Sequence, residues 1–128
     1  YIPYKIDVSS IDKWKKDGVY FVKNGRTKQN MPFYYQMYED FQENKENLNI
    51  LNAAQRLEIP HLIVHGTADP TVDVRDAHKL AEKSSQSHLS LIRDAGHTFG
   101  ASHPWKSHIL PADLMQVVQC TINFLKSC

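Results

Sequence analysis

The sequence predicts an α/β fold in which parallel strands are flanked by helices. Two short runs of apolar residues, 60–65 and 89–92, have the length and continuity of strands that are covered on both faces. The segment between them carries apolar side chains at helical spacing, namely Val74, Ala77, Leu80 and Ala81. Two strands joined by a helix run parallel in one sheet, so we expect a strand–helix–strand unit here.

Asp69 and His97 are the candidate catalytic residues, because each one follows a strand of this unit. Asp69 lies after Gly66 at the end of the first strand, and His97 lies after Gly96 beyond the second. Active sites of open α/β sheets form at the carboxyl ends of the strands, where these two side chains should converge. A histidine that acts as a general base needs a carboxylate to orient it. Asp73, the other acid near the first loop, suits the N-cap of the following helix.

A hairpin and further helices are predicted around this unit. The dipeptide Asn24-Gly25 indicates a β-hairpin over residues 19–31, with a polar return strand over residues 26–31. Pro32 suits the first position of a helix over residues 32–41, whose aromatic stripe is typical of packing. A short helix is predicted within residues 7–16, capped by Ser9 or Ser10 and ended by Gly18. Two further helices are predicted over residues 50–57, with Ala53, Ala54 and Leu57 facing inward, and from Pro111, with Leu114, Val117, Val118, Thr121, Phe124 and Leu125 on one side.

Composition and charge narrow the classes of function. The 128 residues are 41% hydrophobic and 23% charged, as in an ordinary globular domain. A formal net charge of +1 gives no footprint for nucleic acid or an anionic membrane, so we expect neither as a partner. Cys120 and Cys128 would lie too far apart on one helix to form a disulfide. Two free thiols favour a reducing, cytoplasmic compartment.

The predicted elements fit part of a larger protein better than a complete small domain. Two parallel strands and a hairpin leave sheet edges without partners, which invites pairing with other strands. The sequence also begins at Tyr1 without a Met. We therefore expect the second half of a larger α/β sheet.

Residues 60–104 resemble the C-terminal part of an α/β-hydrolase-fold serine hydrolase, most closely the dienelactone hydrolase-like and prolyl oligopeptidase-like branch. The residues that carry the resemblance are the strand Leu62-Ile63-Val64, the turn His65-Gly66-Thr67-Ala68-Asp69 with Val72 after it, and Ala95-Gly96-His97-Thr98-Phe99. The resemblance implies that Asp69 is the acid of a catalytic triad and His97 its general base. It also implies a cap-like or lid-like segment over residues 1–57, followed by the C-terminal half of an α/β-hydrolase fold over residues 58–128.

The sequence lacks the Gly-x-Ser-x-Gly nucleophile motif that belongs to this family. The nearest approach, around Ser102, has Pro104 in place of the second glycine and does not join a strand to a helix. The resemblance therefore places the serine upstream of Tyr1 in a longer protein. That protein would cleave a small-molecule ester or a peptide substrate by acyl transfer, and this chain alone would be inactive.

Other interpretations of the same residues remain open. Asp69 could form only a turn, and His97 could be a loop histidine bonded to the backbone. His97, His103 and His108 could join Asp69 as metal ligands, but their spacing matches neither a helical face nor a compact loop, so we expect no metal or cofactor. A different class of function is a non-catalytic module that forms a homodimer through its exposed sheet edge.

Overall fold

A computed structural model describes residues 8–25 and 27–128 of the chain. In chain order the elements are α1 Val8–Asp17, β1 Val19–Lys23, β2 Asn30–Tyr34, α2 Gln36–Asn44, α3 Ile50–Gln55, β3 His61–Gly66, α4 Val74–Lys83, β4 Ser87–Ile92 and α5 Ala112–Ser127. The chain divides into two compact units, one ending at Asn49 and the other beginning at Ile50. The second unit therefore includes α3, which the predicted boundary after residue 57 assigns to the first segment.

In the first unit, β1 and β2 form the predicted antiparallel hairpin, but the second strand begins later in the chain than predicted. The return strand begins at Asn30 rather than residue 26, because the Asn24 N–H already donates to the Gln29 carbonyl (2.8 Å) and closes the turn just before β2. Pro32 lies in β2 opposite Phe21, and the helix predicted from Pro32 begins instead at Gln36. A proline is tolerated there because β2 is an edge strand of a two-stranded sheet.

Trp14 is the core residue of the first unit. Its side chain is 2% exposed, and its indole Nε1–H donates to the Phe33 carbonyl over 2.8 Å. The rings of Tyr35 and Tyr38 pack against it with centroids 5.6 and 6.0 Å away. Gly18 ends α1 with φ +72°, as the sequence predicts, and its N–H donates to the Trp14 carbonyl. These contacts hold α1 against the hairpin.

Replacement of Trp14 by Phe should destabilise this unit by about 1 kcal/mol, because the Phe33 carbonyl loses its donor while most of the buried aromatic volume remains. The measurement is hydrogen exchange of the hairpin amides. Trp105→Phe is the matched control, since Trp105 is 42% exposed and should tolerate the change. Equal effects of the two substitutions would contradict the anchoring role of Trp14.

In the second unit, β3 and β4 are parallel neighbours, as the sequence predicts. Asp73 caps α4, with its carboxylate accepting from the Arg75 N–H over 2.9 Å. The core between these strands and α4 contains Ile63, Ala77 and Ile92, all less than 9% exposed. This packing fixes the carboxyl ends of both strands at one edge, where their loops emerge.

In the remaining helices of the second unit, α3 and α5, some of the residues predicted to lie on the apolar face are exposed. In α3, Ala54 is 4% exposed, but Ala53 is exposed and the helix ends at Gln55. In α5, Val118 and Leu125 are 37% and 66% exposed. The physical reason is that α5 packs against a sheet of only two strands, which covers part of its apolar surface.

Both cysteines are free, as predicted: Cys120 lies 3.2 Å from the Ser90 hydroxyl, and Cys128 is exposed. Among the residues that the structure describes, no helix combines the length and apolar character that crossing a bilayer requires.

Candidate active site

The structure brings Asp69 and His97 into direct contact. The Nδ1 atom of His97 lies 2.9 Å from Oδ2 of Asp69, although 28 residues separate them in sequence. Asp69 lies in the loop after β3, and His97 lies in the loop after β4. Because these strands are parallel neighbours, both loops leave the same edge of the sheet. The two candidate residues therefore form an acid–histidine pair.

Backbone hydrogen bonds hold the acid loop against the histidine loop. The Thr67 N–H donates to the Ile92 carbonyl, and the Ala68 N–H donates to the Ala95 carbonyl, both over 3.0 Å. In the opposite direction, the Asp94 N–H donates to the Thr67 hydroxyl over 2.8 Å. The sequence interpretation did not assign Thr67 this role, since a threonine in a turn gives no signal of a partner 27 residues away.

Gly66 allows these loops to approach so closely. A Cβ atom at this position would lie 2.2 Å from the Ala95 carbonyl oxygen and 3.1 Å from that of Gly96. The first distance is far below van der Waals contact, and the obstacle is backbone rather than a flexible side chain. Ala95 itself is fully buried, so it cannot move into solvent. The glycine that ends β3 is therefore required by the loop that carries His97.

The carboxylate of Asp69 uses its two oxygens for different purposes. Oδ1 accepts from the N–H groups of Thr71 (2.7 Å) and Val72 (3.0 Å), which closes a turn around the acid. Oδ2 accepts from His97, and the side chain as a whole is only 6% exposed. The interpretation of Asp69 as a turn former is thus also correct, and it leaves the second oxygen available to orient the histidine.

These hydrogen bonds lower the pKa of Asp69. Burial of the carboxyl raises the pKa, but the hydrogen bonds from His97, Val72 and Thr71 favour the charged form and lower the pKa to about 2 from its ordinary value of 3.8. Asp69 is therefore a carboxylate over the whole neutral range, which is the state that can hold an imidazolium.

This pKa difference predicts a dependence of stability on pH. A carboxyl whose pKa is depressed on folding stabilises the protein above its unfolded pKa, and this contribution disappears as the pH falls through its folded pKa. The wild type and Asp69→Asn should therefore differ in unfolding free energy at about pH 5. This difference should shrink as the pH falls from the ordinary pKa of 3.8 towards the folded pKa of about 2. Urea unfolding of both proteins across this range checks it. A difference that is unchanged at the acid end would contradict the ionised, hydrogen-bonded carboxylate.

His97 has the geometry of a general base. A carboxylate oxygen only accepts, so Nδ1 of the neutral imidazole carries the proton and Nε2 keeps its lone pair. The side chain is 51% exposed, and within the described part of the chain Nε2 has no hydrogen-bond partner. The ring can therefore receive a proton at Nε2 from a group outside, while Asp69 stabilises the resulting charge.

A shallow cavity of about 170 Å³ lies beside the pair. Its apolar wall is formed by Val64, Val72 and Phe99, next to Asp69 and His97. Phe99 is the aromatic residue that lines this cavity, whereas Tyr38 packs on Trp14 in the first unit and Trp105 is exposed.

The other residues considered as a nucleophile or as metal ligands do not join this site. Ser102, His103 and His108 are exposed in the loop that follows it. Within residues 8–25 and 27–128, no three His, Cys, Asp or Glu side chains come together as a metal ion would require. Asp73 faces Arg75, which holds the pKa of this carboxyl well below its usual range through side-chain and backbone hydrogen bonds. The structure therefore separates the capping acid from the acid that contacts His97.

A third side chain reaches the pair. The Nε2 atom of His65 lies 3.7 Å from Oδ2 of Asp69. Its Nδ1 atom lies 2.9 Å from the Gly66 carbonyl oxygen.

No protein-family model matches the chain. The chain is 26% identical over 94 residues to the monoacylglycerol lipase ABHD6 of Bos taurus, and 25% identical over 91 residues to that of Mus musculus. These alignments cover 73% and 71% of this chain but only 28% and 27% of the lipases. A third relative, the (R)-3-hydroxydecanoyl-ACP:CoA transacylase of Ectopseudomonas oleovorans, is 40% identical over 47 residues, which are 37% of this chain and 16% of the transacylase.

Among solved structures, the chain is similar to a protein of Agrobacterium vitis S4 that carries a hydrolase assignment. The TM-score is 0.65 at 19% sequence identity, and the match covers 96% of this chain and 43% of that protein. This similarity concerns the fold. The parallel sheet with flanking helices confirms the predicted α/β class, and it matches part of an α/β-hydrolase fold.

Proposed function

We propose that this chain supplies the acid and the general base of a serine hydrolase that acts on acyl esters. The observation that carries the proposal is the 2.9 Å contact between Oδ2 of Asp69 and Nδ1 of His97, which leaves Nε2 of His97 accessible. Asp69 is the triad acid and His97 the general base. The nucleophilic serine belongs to a longer protein, upstream of Tyr1, and the isolated chain does not turn over substrate.

The proposed reaction follows from the tautomer of His97. Nε2 takes the proton of the serine hydroxyl as its oxygen attacks the ester carbonyl, and Asp69 stabilises the imidazolium that forms. The same proton then passes to the alcohol oxygen as the ester C–O bond breaks, which leaves an acyl-enzyme. Water, deprotonated by the restored His97, then attacks the acyl carbonyl. The bond between the acyl carbon and the serine oxygen breaks, His97 returns the proton to that oxygen, and the carboxylic acid is released.

The substrate class is argued from the relatives. Two are named as monoacylglycerol lipases and one as a hydroxyacyl transacylase, so all three handle acyl esters or thioesters. This favours an ester over a peptide bond, and within the resemblance it favours a dienelactone hydrolase-like over a prolyl oligopeptidase-like enzyme. The apolar wall formed by Val64, Val72 and Phe99 suits an acyl group. We include in the proposal that residues 1–57 act as a cap.

Fluorophosphonate labelling tests the proposal. This chain and a longer form, extended upstream by about 150 residues, are labelled in parallel, and the modified residue is mapped by mass spectrometry. We expect labelling of the longer form alone, at a serine before Tyr1. Labelling of Ser102 would contradict the assignment of the nucleophile, and absence of labelling in both forms would contradict the serine mechanism.

The same longer form distinguishes the acyl acceptor and the bond cleaved. A hydrolase releases p-nitrophenol from p-nitrophenyl acyl esters and gives free acid even when a thiol acceptor such as coenzyme A is present. A transacylase gives the acyl thioester instead. Preferential cleavage of a peptide p-nitroanilide over the acyl esters would contradict the ester assignment.

A second candidate function is self-association. The second unit has an exposed sheet edge and exposed apolar side chains that favour it. β3 and β4 form a two-stranded sheet, and the α5 residues Met115 and Leu125 are 49% and 66% exposed. Sedimentation of this chain tests it, because a monomer that persists at high concentration would contradict a homodimer.

A further inference from the structure

His65 contacts the same carboxylate oxygen that orients His97. Its Nε2 atom is 3.7 Å from Oδ2 of Asp69, and its side chain is only 13% exposed. His65 is four residues before Asp69, and its position on β3 places its ring beside the acid turn. Asp69 therefore lies between a buried imidazole and an exposed one, and the mechanism proposed above uses only the exposed one.

The tautomer of His65 follows from its other contact. Nδ1 lies 2.9 Å from the Gly66 carbonyl oxygen, which can only accept, so Nδ1 carries the proton. In the neutral ring, Nε2 then has a lone pair and no hydrogen to offer. Nε2 is fully buried and has no hydrogen-bond partner among the described residues. A buried polar atom without a partner is uncommon and calls for a reason.

We propose that His65 is a positioning residue for Asp69, a buried and donor-free side chain that excludes water from Oδ2 and leaves His97 as its single donor. This inference rests on the proposed function, since it concerns the acid of the same triad. A charge-assisted hydrogen bond in a dry environment is stronger and better oriented than one shared with water. A second donor on Oδ2 would divide the charge of the carboxylate between two partners and weaken the hold on His97.

The groups that face His65 are Asp69 and, through the shared oxygen, His97. Within the part of the chain that the structure describes, Asp69 is the acid that lies within ion-pair distance of His65. On α4, Arg75 and Lys79 form ion pairs with Asp73 and Asp76.

Two substitutions separate this role from simple packing. His65→Phe keeps a ring of similar size but can never donate, and His65→Gln is smaller and places a permanent amide donor near Oδ2. If His65 only fills space, the bulkier and less polar Phe should disturb the pair at least as much as Gln. If donor-free shielding is the role, Phe preserves the bond between Asp69 and His97, and Gln weakens it.

The test is NMR of this chain with isotope-labelled histidine, which reports the tautomer of each ring and the exchange of the His97 Nδ1 proton with water. At neutral pH we expect His65 in the Nδ1–H form. We expect the exchange rate at His97 to be close to wild type in His65→Phe and raised about tenfold or more in His65→Gln.

Two outcomes would overturn the proposal. They are a proton on Nε2 of His65 at neutral pH, or equal exchange rates in the two variants. Urea unfolding shows whether each variant is folded, and His65→Met replaces Phe if the ring does not fit. Because the isolated chain is used, this result does not depend on acyl transfer. If fluorophosphonate labels neither form of the protein, the proposed hydrolase function is contradicted, but the shielding of Asp69 can still be measured.

Discussion

Replacement of Asp69 by Asn in the longer enzyme is expected to lower kcat by about 10⁴-fold while affecting substrate binding much less. The Asn carbonyl oxygen can still accept from the N–H groups of Thr71 and Val72, so the turn persists. Its amide group, however, takes the place of Oδ2 and donates to Nδ1 of His97. The imidazole proton then moves to Nε2, and the base loses the lone pair that should take the serine proton.

Ester hydrolysis by the longer enzyme measures this effect, and NMR of the isolated chain reports the change of tautomer directly. Asp73→Asn is the matched control, because Asp73 caps α4 and has no contact with His97. Asn is as good a cap as Asp, so kcat should stay close to wild type. His97→Ala should be at least as damaging as Asp69→Asn. Near-normal rates in both triad variants would remove the assignment of the pair.

Replacement of Gly66 by Ala should separate Asp69 from His97 without changing either residue, and it should destabilise the second unit by about 3 kcal/mol. The added methyl would meet the Ala95 carbonyl oxygen at 2.2 Å, so the loops after β3 and β4 must separate. Separation would cost the hydrogen bond from the Ala68 N–H to Ala95 and would move Asp69 away from His97. Urea unfolding of this chain should show a lower midpoint with an unchanged slope.

Gly96→Ala provides the matched control for this experiment. Gly96 lies in the facing loop, yet a Cβ at this position would have no atom within 4 Å. Its backbone also lies outside the positive-φ region, so alanine is not strained there. We expect its unfolding midpoint to stay near that of the wild type. A midpoint that falls equally in both variants would show that any side chain in these loops is harmful, rather than one that meets Ala95.

The order of elements in the second unit could be predicted because it depends on local patterns. A continuous apolar run, a helical stripe and a second apolar run predict parallel strands, and the structure confirms them. The N-cap at Asp73 is likewise a local effect of a short acid before a helix. In the first unit the same approach set the helix start at Pro32. That prediction was wrong, because pairing of β2 with β1 outweighs the helical preference of a proline at a first turn.

The parallel unit, and the presence of an acid and a histidine on neighbouring loops, could be inferred from sequence alone. Each of these depends on residues close together in the chain. The three-dimensional structure was needed to show that Oδ2 of Asp69 meets His97 at 2.9 Å, that Gly66 is required by Ala95, and that His65 contacts the same oxygen. These are contacts between two loops, and their distances are set by the packing of β3 against β4. No pattern along one segment contains that information.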